Sequence, residues 1–131
     1  MKRALQEHLF VKYPHLFSGR TQSTKVSLMS FGITCGDGWY DIIDRLCARV
    51  ELLDPDAVLV QVKEKFGGLR FYLNATKNEQ VWEEIGKAER SSMETCENCG
   101  KPAAHGSDKE TGWIWTVCSE ECKEKLRSSY E

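Results

Sequence analysis

The stretch AVLVQVKEKFGGLRFYLN, residues 57–74, decides the fold of this chain. Two runs of β-prone residues flank a Gly-Gly pair, which is a strong signal for a hairpin turn. From Val60 onward apolar and polar side chains alternate, except that Glu64 falls on the apolar face, so one face of the hairpin is mainly apolar. That face carries Val60, Val62, Phe66, Leu69, Phe71 and Leu73. The sequence therefore predicts an antiparallel β-hairpin with one buried face.

The opposite face of this hairpin is polar and basic, and it carries Gln61, Lys63, Lys65, Arg70, Tyr72 and Asn74. A loop made of the two glycines places Lys65 opposite Arg70 and Lys63 opposite Tyr72. Like charges directly across a strand pair destabilise it, so this arrangement predicts an anionic partner. A three-residue loop would instead pair Glu64 with Arg70 and remove most of that argument.

Helices are predicted on both sides of the hairpin. Residues 39–53 repeat apolar side chains every three or four positions, with Asp37 as the N-cap, and this helix should stop before Pro55. Thr76 and Glu79 form a capping box for a second helix of about four turns. Both helices can cover the apolar face of the hairpin.

The first third of the chain adds another helix and a strand. Residues 3–12 carry apolar side chains at helical spacing before Pro14, and residues 26–34 form a β-prone run that ends at a glycine-rich turn. Residues 1–91 are therefore predicted to be an α+β main domain, in which helices pack on a small antiparallel sheet.

Four cysteines near the C-terminus have the spacing of a metal site. Cys96 and Cys99 flank a short knuckle, and Cys118 and Cys122 follow a β-prone segment at the start of a predicted helix. This order resembles a treble-clef finger, so residues 92–131 are predicted to fold as a module around one structural Zn²⁺. His105 lies in a loop and is the weaker candidate for a ligand.

The charge balance limits the partners of the protein. The chain of 131 residues has 18 Lys and Arg against 20 Asp and Glu, a net charge of -2. Residues 92–131 alone carry a net charge of -3, which argues against nucleic-acid binding by the finger. No apolar run reaches membrane-spanning length. The chain has six cysteines, four of them with metal-site spacing, which suits a reducing compartment. We expect a soluble, cytoplasmic protein without a membrane partner.

A second candidate for anion binding is the glycine-rich turn that precedes the helix at residue 39. Such turns present backbone N–H groups to phosphate, although Asp37 competes for them and a simple N-cap is the alternative. Together with the hairpin, this turn predicts a pocket for a nucleotide-like ligand. The candidate ligand-binding residues are Lys63, Lys65, Arg70, Tyr72, Asp37, Trp39 and Tyr40. Cys35 could have a lowered pKa at the helix start, but no catalytic pattern accompanies it, so binding is expected instead of catalysis.

Four phrases of the sequence carry a family resemblance: KYPHLF, FGITCGDGWYDIIDRLCARVE, VQVKEKFGGLRFYL and AERSSMETCENCG. Together they resemble a family of small bacteriophage and prophage proteins. The resemblance implies an accessory protein of the host cytoplasm that counteracts host defence, for example by sequestering a nucleotide-derived signal. Two alternatives stay open: an adaptor that docks a host protein through Trp113 and Trp115, and a nucleic-acid-binding regulator. A homo-oligomer that covers the basic face also stays open.

Overall fold

The computed structural model describes residues 1–130 as an α+β fold that ends in a cluster of four cysteines. The elements are α1 (Arg3–Lys12), β1 (Ile33–Thr34), α2 (Tyr40–Leu53), β2 (Leu59–Lys65), β3 (Gly68–Leu73), α3 (Glu79–Ser92), β4 (Ala104–Ser107), β5 (Ile114–Val117) and α4 (Glu120–Tyr130). The predicted fold class is confirmed. The helix at residues 3–12 is confirmed as well, and α2 ends before Pro55 as predicted.

The main sheet has three strands in the order β1-β2-β3. The short strand β1 is parallel to β2, with Ile33 beside Val62, and β2 and β3 form the antiparallel hairpin. The register of the hairpin shifts next to Leu59, and both Leu59 and Val62 are buried although they lie three residues apart. The bulge thus keeps the apolar side chains of β2 on the core side.

Two helices close the core over this sheet. Helix α2 packs against α3, and α3 also packs on β3. Helix α2 buries Ile42, Ile43, Leu46, Cys47 and Val50. These side chains meet Val81 and Ile85 of α3 and the apolar face of the hairpin, so the main core lies between the sheet and the two helices.

The predicted strand at residues 26–34 is wrong for most of its length. Only Ile33–Thr34 pairs with β2, and Met29–Phe31 forms a 3-10 turn. The side chain of Ser27 accepts a hydrogen bond from the Met29 N–H at 3.1 Å, which offers the backbone a partner other than a strand. Gly32 then adopts a φ of 75°, outside the extended region.

The hairpin itself is confirmed, but its register differs from the prediction. The loop is Phe66-Gly67, so Lys65 lies opposite Gly68 and Lys63 lies opposite Arg70. The loop moves by one residue, and the pairing of the two strands therefore shifts by two residues. A shift by two leaves each strand residue on the same face of the sheet. Two residues depart from the predicted apolar face. Phe66 leaves it and is 64% exposed, and Val60 is only half-buried, since the bulge buries Leu59 instead. Both loop residues have positive φ values, 54° and 75°, as a type I′ turn requires.

Two predicted helix caps are also wrong. Asp37 does not cap α2; a 3-10 turn precedes that helix, and the Asp37 carboxylate accepts the Lys2 N–H at 2.7 Å. Helix α3 is capped by Asn78, whose side chain accepts the Gln80 N–H at 2.9 Å. Thr76 lies two residues earlier and accepts the Asn78 N–H at 3.2 Å, so the N-cap lies two residues after the predicted one.

The C-terminal module follows the predicted order with one addition. A knuckle at residues 96–99 leads into the antiparallel pair β4-β5, and α4 follows, which is the order of a treble clef. The strand and the helix were predicted. Strand β4 was not, because the sequence Ala-His-Gly-Ser has no β pattern.

No helix within residues 1–130 combines the length and the apolar character that crossing a membrane requires.

Candidate metal centre and basic groove

The four predicted cysteines come together in the structure. Cys96, Cys99, Cys118 and Cys122 place their sulfur atoms within 4.8 Å of one another. The Sγ of Cys118 lies 3.5 Å from that of Cys99 and 3.7 Å from that of Cys122. All six cysteines of the chain are free of disulfides. The cluster is therefore a site that can hold a metal ion.

Neighbouring groups already favour a thiolate in this cluster. The Asn98 side-chain amide donates to Cys122 Sγ at 3.3 Å and lowers the pKa of that thiol to about 7. Hydrogen bonding with Cys99 raises the pKa of Cys118 to about 12, because the neighbouring sulfurs compete for protons. Metal ligation needs thiolates, and a bound cation would release these shared protons.

His105 does not take part in the cluster. Its Nδ1 forms a hydrogen bond with Thr116 Oγ1 at 2.9 Å, and its ring lies beside Gly67 of the hairpin loop. It therefore connects the module to the hairpin.

The glycine-rich turn packs directly on the cysteine knuckle. The Gly38 N–H donates to Glu97 O at 2.7 Å, and the Gly36 N–H donates to Glu97 Oε2 at 2.9 Å. A Cβ on Gly38 would lie 2.1 Å from Cys96 O, a distance that no real Cβ adopts. The glycines thus allow two backbones to touch. The sequence predicted that these N–H groups bind phosphate. Both have partners within the protein, so they are not available to a ligand.

The other residues of the turn that were predicted to bind a ligand also make contacts within the protein. Trp39 is fully buried and donates its Nε1–H to Thr95 O at 2.9 Å. Tyr40 stacks on His8, and Asp37 lies 3.6 Å from Lys2 Nζ. Burial raises the pKa of the Cys35 thiol far above its ordinary value, so the predicted lowered pKa is wrong.

Glu97 is the residue that joins the turn, the knuckle and α4. Its carboxylate is fully buried and accepts hydrogen bonds from the Gly36 N–H and the Tyr130 hydroxyl. Burial raises the pKa of Glu97 to about 7, although these two hydrogen bonds act in the opposite direction. This role could not be predicted from the sequence, because a Glu between two knuckle cysteines is typical of an exposed turn.

The four predicted hairpin residues lie on one face, as the alternation required. Lys65 is exposed, Lys63 and Arg70 are half-buried, and Tyr72 is 40% exposed opposite Gln61. Within residues 1–130, none of the three cations takes part in an ion pair. Lys63 and Arg70 are direct cross-strand partners. Two uncompensated positive charges therefore stand side by side.

A groove of about 320 Å³ lies between β2 and the start of β5. Its lining combines hairpin and module residues, namely Lys63, Glu64, Lys65, Phe66, Gly112, Trp113 and Ile114. Trp113 is 53% exposed, whereas Trp115 is buried beside it, with ring centroids 6.0 Å apart. Both tryptophans were predicted as anchors for a protein partner. The position of Trp113 next to the basic hairpin could not be predicted, because it depends on the folded chain. The residues Asp37, Trp39 and Tyr40 do not line this groove.

Comparisons with protein-family models, with curated proteins and with solved structures found no match to this chain. The chemistry of the cysteine cluster and of the groove is therefore what bears on function.

Proposed function

We propose that this protein binds and sequesters an anionic, nucleotide-derived small ligand. The observation that supports the proposal is the set of three cations on the outer face of the hairpin, Lys63, Lys65 and Arg70, which have no ion-pair partner within residues 1–130. Like charges across a strand pair cost stability, and an anion that binds between them offsets that cost.

The biological role that we propose is interference with host defence by a phage-type accessory protein. The resemblance to bacteriophage proteins suggests this setting, and the basic face suggests a negatively charged signal as the target. Sequestration requires affinity and abundance, and it needs no catalytic group. The burial of Cys35 and the raised pKa of its thiol are consistent with a binding role.

We further propose that the four cysteines hold one structural Zn²⁺. Tetrahedral zinc with Zn–S bonds of about 2.3 Å places its sulfurs about 3.8 Å apart, and the observed separations of 3.5 and 3.7 Å are close to that value. Four thiolates close the coordination shell, so the metal would stabilise the module without contacting a ligand. Metal analysis of purified protein should give one zinc per chain.

The ligand proposal is tested by isothermal titration of the zinc-loaded protein with a panel of nucleotides, including cyclic and ADP-ribose-type compounds. We expect binding that weakens by about tenfold in Lys65→Ala and in Arg70→Ala, because each charged hydrogen bond contributes about 1.5–3 kcal/mol. Lys77→Ala is the matched control, since Lys77 is an exposed cation that lies outside the basic face and has no ion pair within residues 1–130. Absence of binding across the panel, or equal affinity in all three variants, would contradict the proposal.

A protein adaptor is the second candidate, and one observation favours it. Trp113 also borders an apolar groove of about 230 Å³ that is lined by Thr111, Trp115, Arg127 and Tyr130. Capture of a host protein from lysate that is lost in Trp113→Ala and kept in Lys65→Ala would support this alternative. Trp115 is unsuitable for such a test because it is buried.

A further inference from the structure

Two exposed aromatic side chains stand at the groove between β2 and β5. Trp113 is 53% exposed and Phe66 is 64% exposed, and each belongs to a different part of the chain. Phe66 also has a φ of 54°, a conformation that a bulky residue rarely adopts. A large apolar side chain held in an unfavourable backbone conformation without being buried suggests a function outside the core.

The charged residues at the same groove favour an anion. Lys63 and Lys65 line it and are free of ion pairs within residues 1–130, and Lys65 Nζ lies 5.6 Å from the Phe66 ring centroid. The one acidic residue in the lining, Glu64, turns its carboxylate to the loop and accepts the Gly67 N–H at 2.7 Å. The groove therefore offers cations beside aromatic faces.

We propose that this groove is a composite nucleotide site in which Trp113 stacks on the base and Lys63 and Lys65 bind the phosphate. The inference rests on the proposed function and adds to it the position and the size of the ligand. Bases stack on aromatic side chains whatever their identity, and lysines bind phosphate as point charges. A volume of about 320 Å³ is at the lower end for small-molecule pockets, so the site takes one nucleoside unit.

The same geometry makes ligand binding depend on the cysteine cluster. Trp113 directly precedes β5, and β5 leads into Cys118. Within β5, the hydroxyl of Thr116 donates to Gly67 O at 2.6 Å and fixes the module against the hairpin loop. Loss of the metal would release the segment that carries Trp113 and so open one wall of the groove. Metal binding and nucleotide binding are then coupled, and the coupling is reciprocal.

The test compares AMP with ribose 5-phosphate, which lacks the base, by isothermal titration of the zinc-loaded protein. We expect AMP to bind about tenfold more tightly, and Trp113→Ala to lose that difference while its affinity for ribose 5-phosphate stays the same. Trp113→Phe should keep most of the difference because it keeps an aromatic face. Trp82→Ala is the matched control, since Trp82 is 47% exposed on α3, away from the groove.

Each result has a defined meaning. Equal affinity for the two probes, or an AMP preference that survives in Trp113→Ala, overturns the composite site and leaves anion capture by the hairpin intact. Failure of both probes and of the nucleotide panel to bind overturns the proposed function itself. Zinc content and circular dichroism of each variant distinguish a lost contact from a lost fold. AMP affinity that is unchanged after zinc removal would overturn the coupling.

Discussion

A side chain at Gly38 would occupy space that the cysteine knuckle already fills. The Cβ of Gly38→Ala would lie 2.1 Å from Cys96 O and 2.7 Å from Glu97 C, and both are backbone atoms that cannot rotate away. We expect Gly38→Ala to lower the free energy of unfolding by about 2 kcal/mol or more, the range for overpacking a closed contact. Urea unfolding followed by circular dichroism measures the change.

Gly106→Ala is the control for this substitution. A Cβ on Gly106 would meet no atom within 4 Å, and this glycine does not have a positive φ. Its unfolding free energy should stay within about 0.5 kcal/mol of the wild-type value. A Gly38→Ala variant as stable as Gly106→Ala would show that the turn does not press on the knuckle.

Asp44 connects helix α1 to helix α2 and makes the stability of the fold depend on pH. Its carboxylate accepts hydrogen bonds from the Tyr13 hydroxyl at 2.6 Å and from Lys12 Nζ at 2.9 Å. Burial acts to raise the pKa of Asp44, but these hydrogen bonds outweigh it, so the pKa lies below the ordinary value of 3.8. Because the folded-state pKa is depressed, the contribution of Asp44 is present at neutral pH and is lost as the pH falls through it.

Asp44→Asn should therefore be less stable than the wild type by about 1 kcal/mol at pH 7. The difference should shrink as the pH falls from about 4 to below the folded-state pKa of Asp44. Thermal unfolding at a series of pH values tests this. Glu51→Gln is the control, since Glu51 is exposed on the same helix and has no side-chain hydrogen bond within residues 1–130. A stability gap for Asp44→Asn that is independent of pH would contradict the expectation.

At this scale, the sequence predicted the residues whose role depends on local spacing. The four cysteines are recognisable because two residues between thiolates is a local property. The role of Glu97 was not recognisable, because it comes from a contact with Gly36. Trp113 was recognisable as an anchor, but its place in a groove with the hairpin residues was not. Those partners are far away in sequence, and only the folded chain brings them together.

At the scale of elements, the two residues of the hairpin loop differ in how well they tolerate the positive φ that the turn requires. Gly67 suits its φ of 75°, whereas Phe66 holds a φ of 54° at a cost. Asn is preferred at that position of a type I′ turn. We expect Phe66→Asn to raise the free energy of unfolding by about 0.5–1 kcal/mol, because an exposed Phe loses little burial.

The same substitution should weaken nucleotide binding, since it removes one aromatic side chain from the groove. Urea unfolding and titration with AMP measure the two effects on one variant. Phe31→Asn is the matched control, because Phe31 is 65% exposed but has an ordinary negative φ. A loss of stability in Phe66→Asn would mean that the ring packs more firmly than its exposure indicates.

Element existence was predictable wherever a long periodic pattern decided it, as in α2 and the hairpin. Element ends and registers were not. The predicted hairpin loop was displaced by one residue because Glu64 can accept the Gly67 N–H, which no propensity describes. The strand predicted at residues 26–34 does not form over most of its length, because the side-chain hydrogen bond of Ser27 and the positive φ of Gly32 interrupt a β-prone sequence.

At the scale of the whole molecule, the cysteine module is joined to the main sheet and helices by three sets of contacts. Glu97 binds the glycine-rich turn, Trp39 donates to Thr95 O, and Thr116 donates to Gly67 O. The boundary predicted between residues 1–91 and 92–131 stays a prediction. These contacts are buried or half-buried, so their loss would leave polar groups without partners in both parts.

Removal of the metal should therefore reach beyond the module. If α2 and the module unfold together, a zinc chelator lowers the melting temperature of the whole protein and the transition stays single. If the module is independent, chelation releases α4 and leaves α2 protected. Hydrogen exchange of the amides in α2 (Tyr40–Leu53) and in α4 (Glu120–Tyr130) distinguishes the two cases. We expect faster exchange in both helices, reversed when zinc is restored, because Gly36 and Gly38, just before α2, bind Glu97 within the knuckle. Unchanged protection of α2 after chelation would show that the main domain folds without the module.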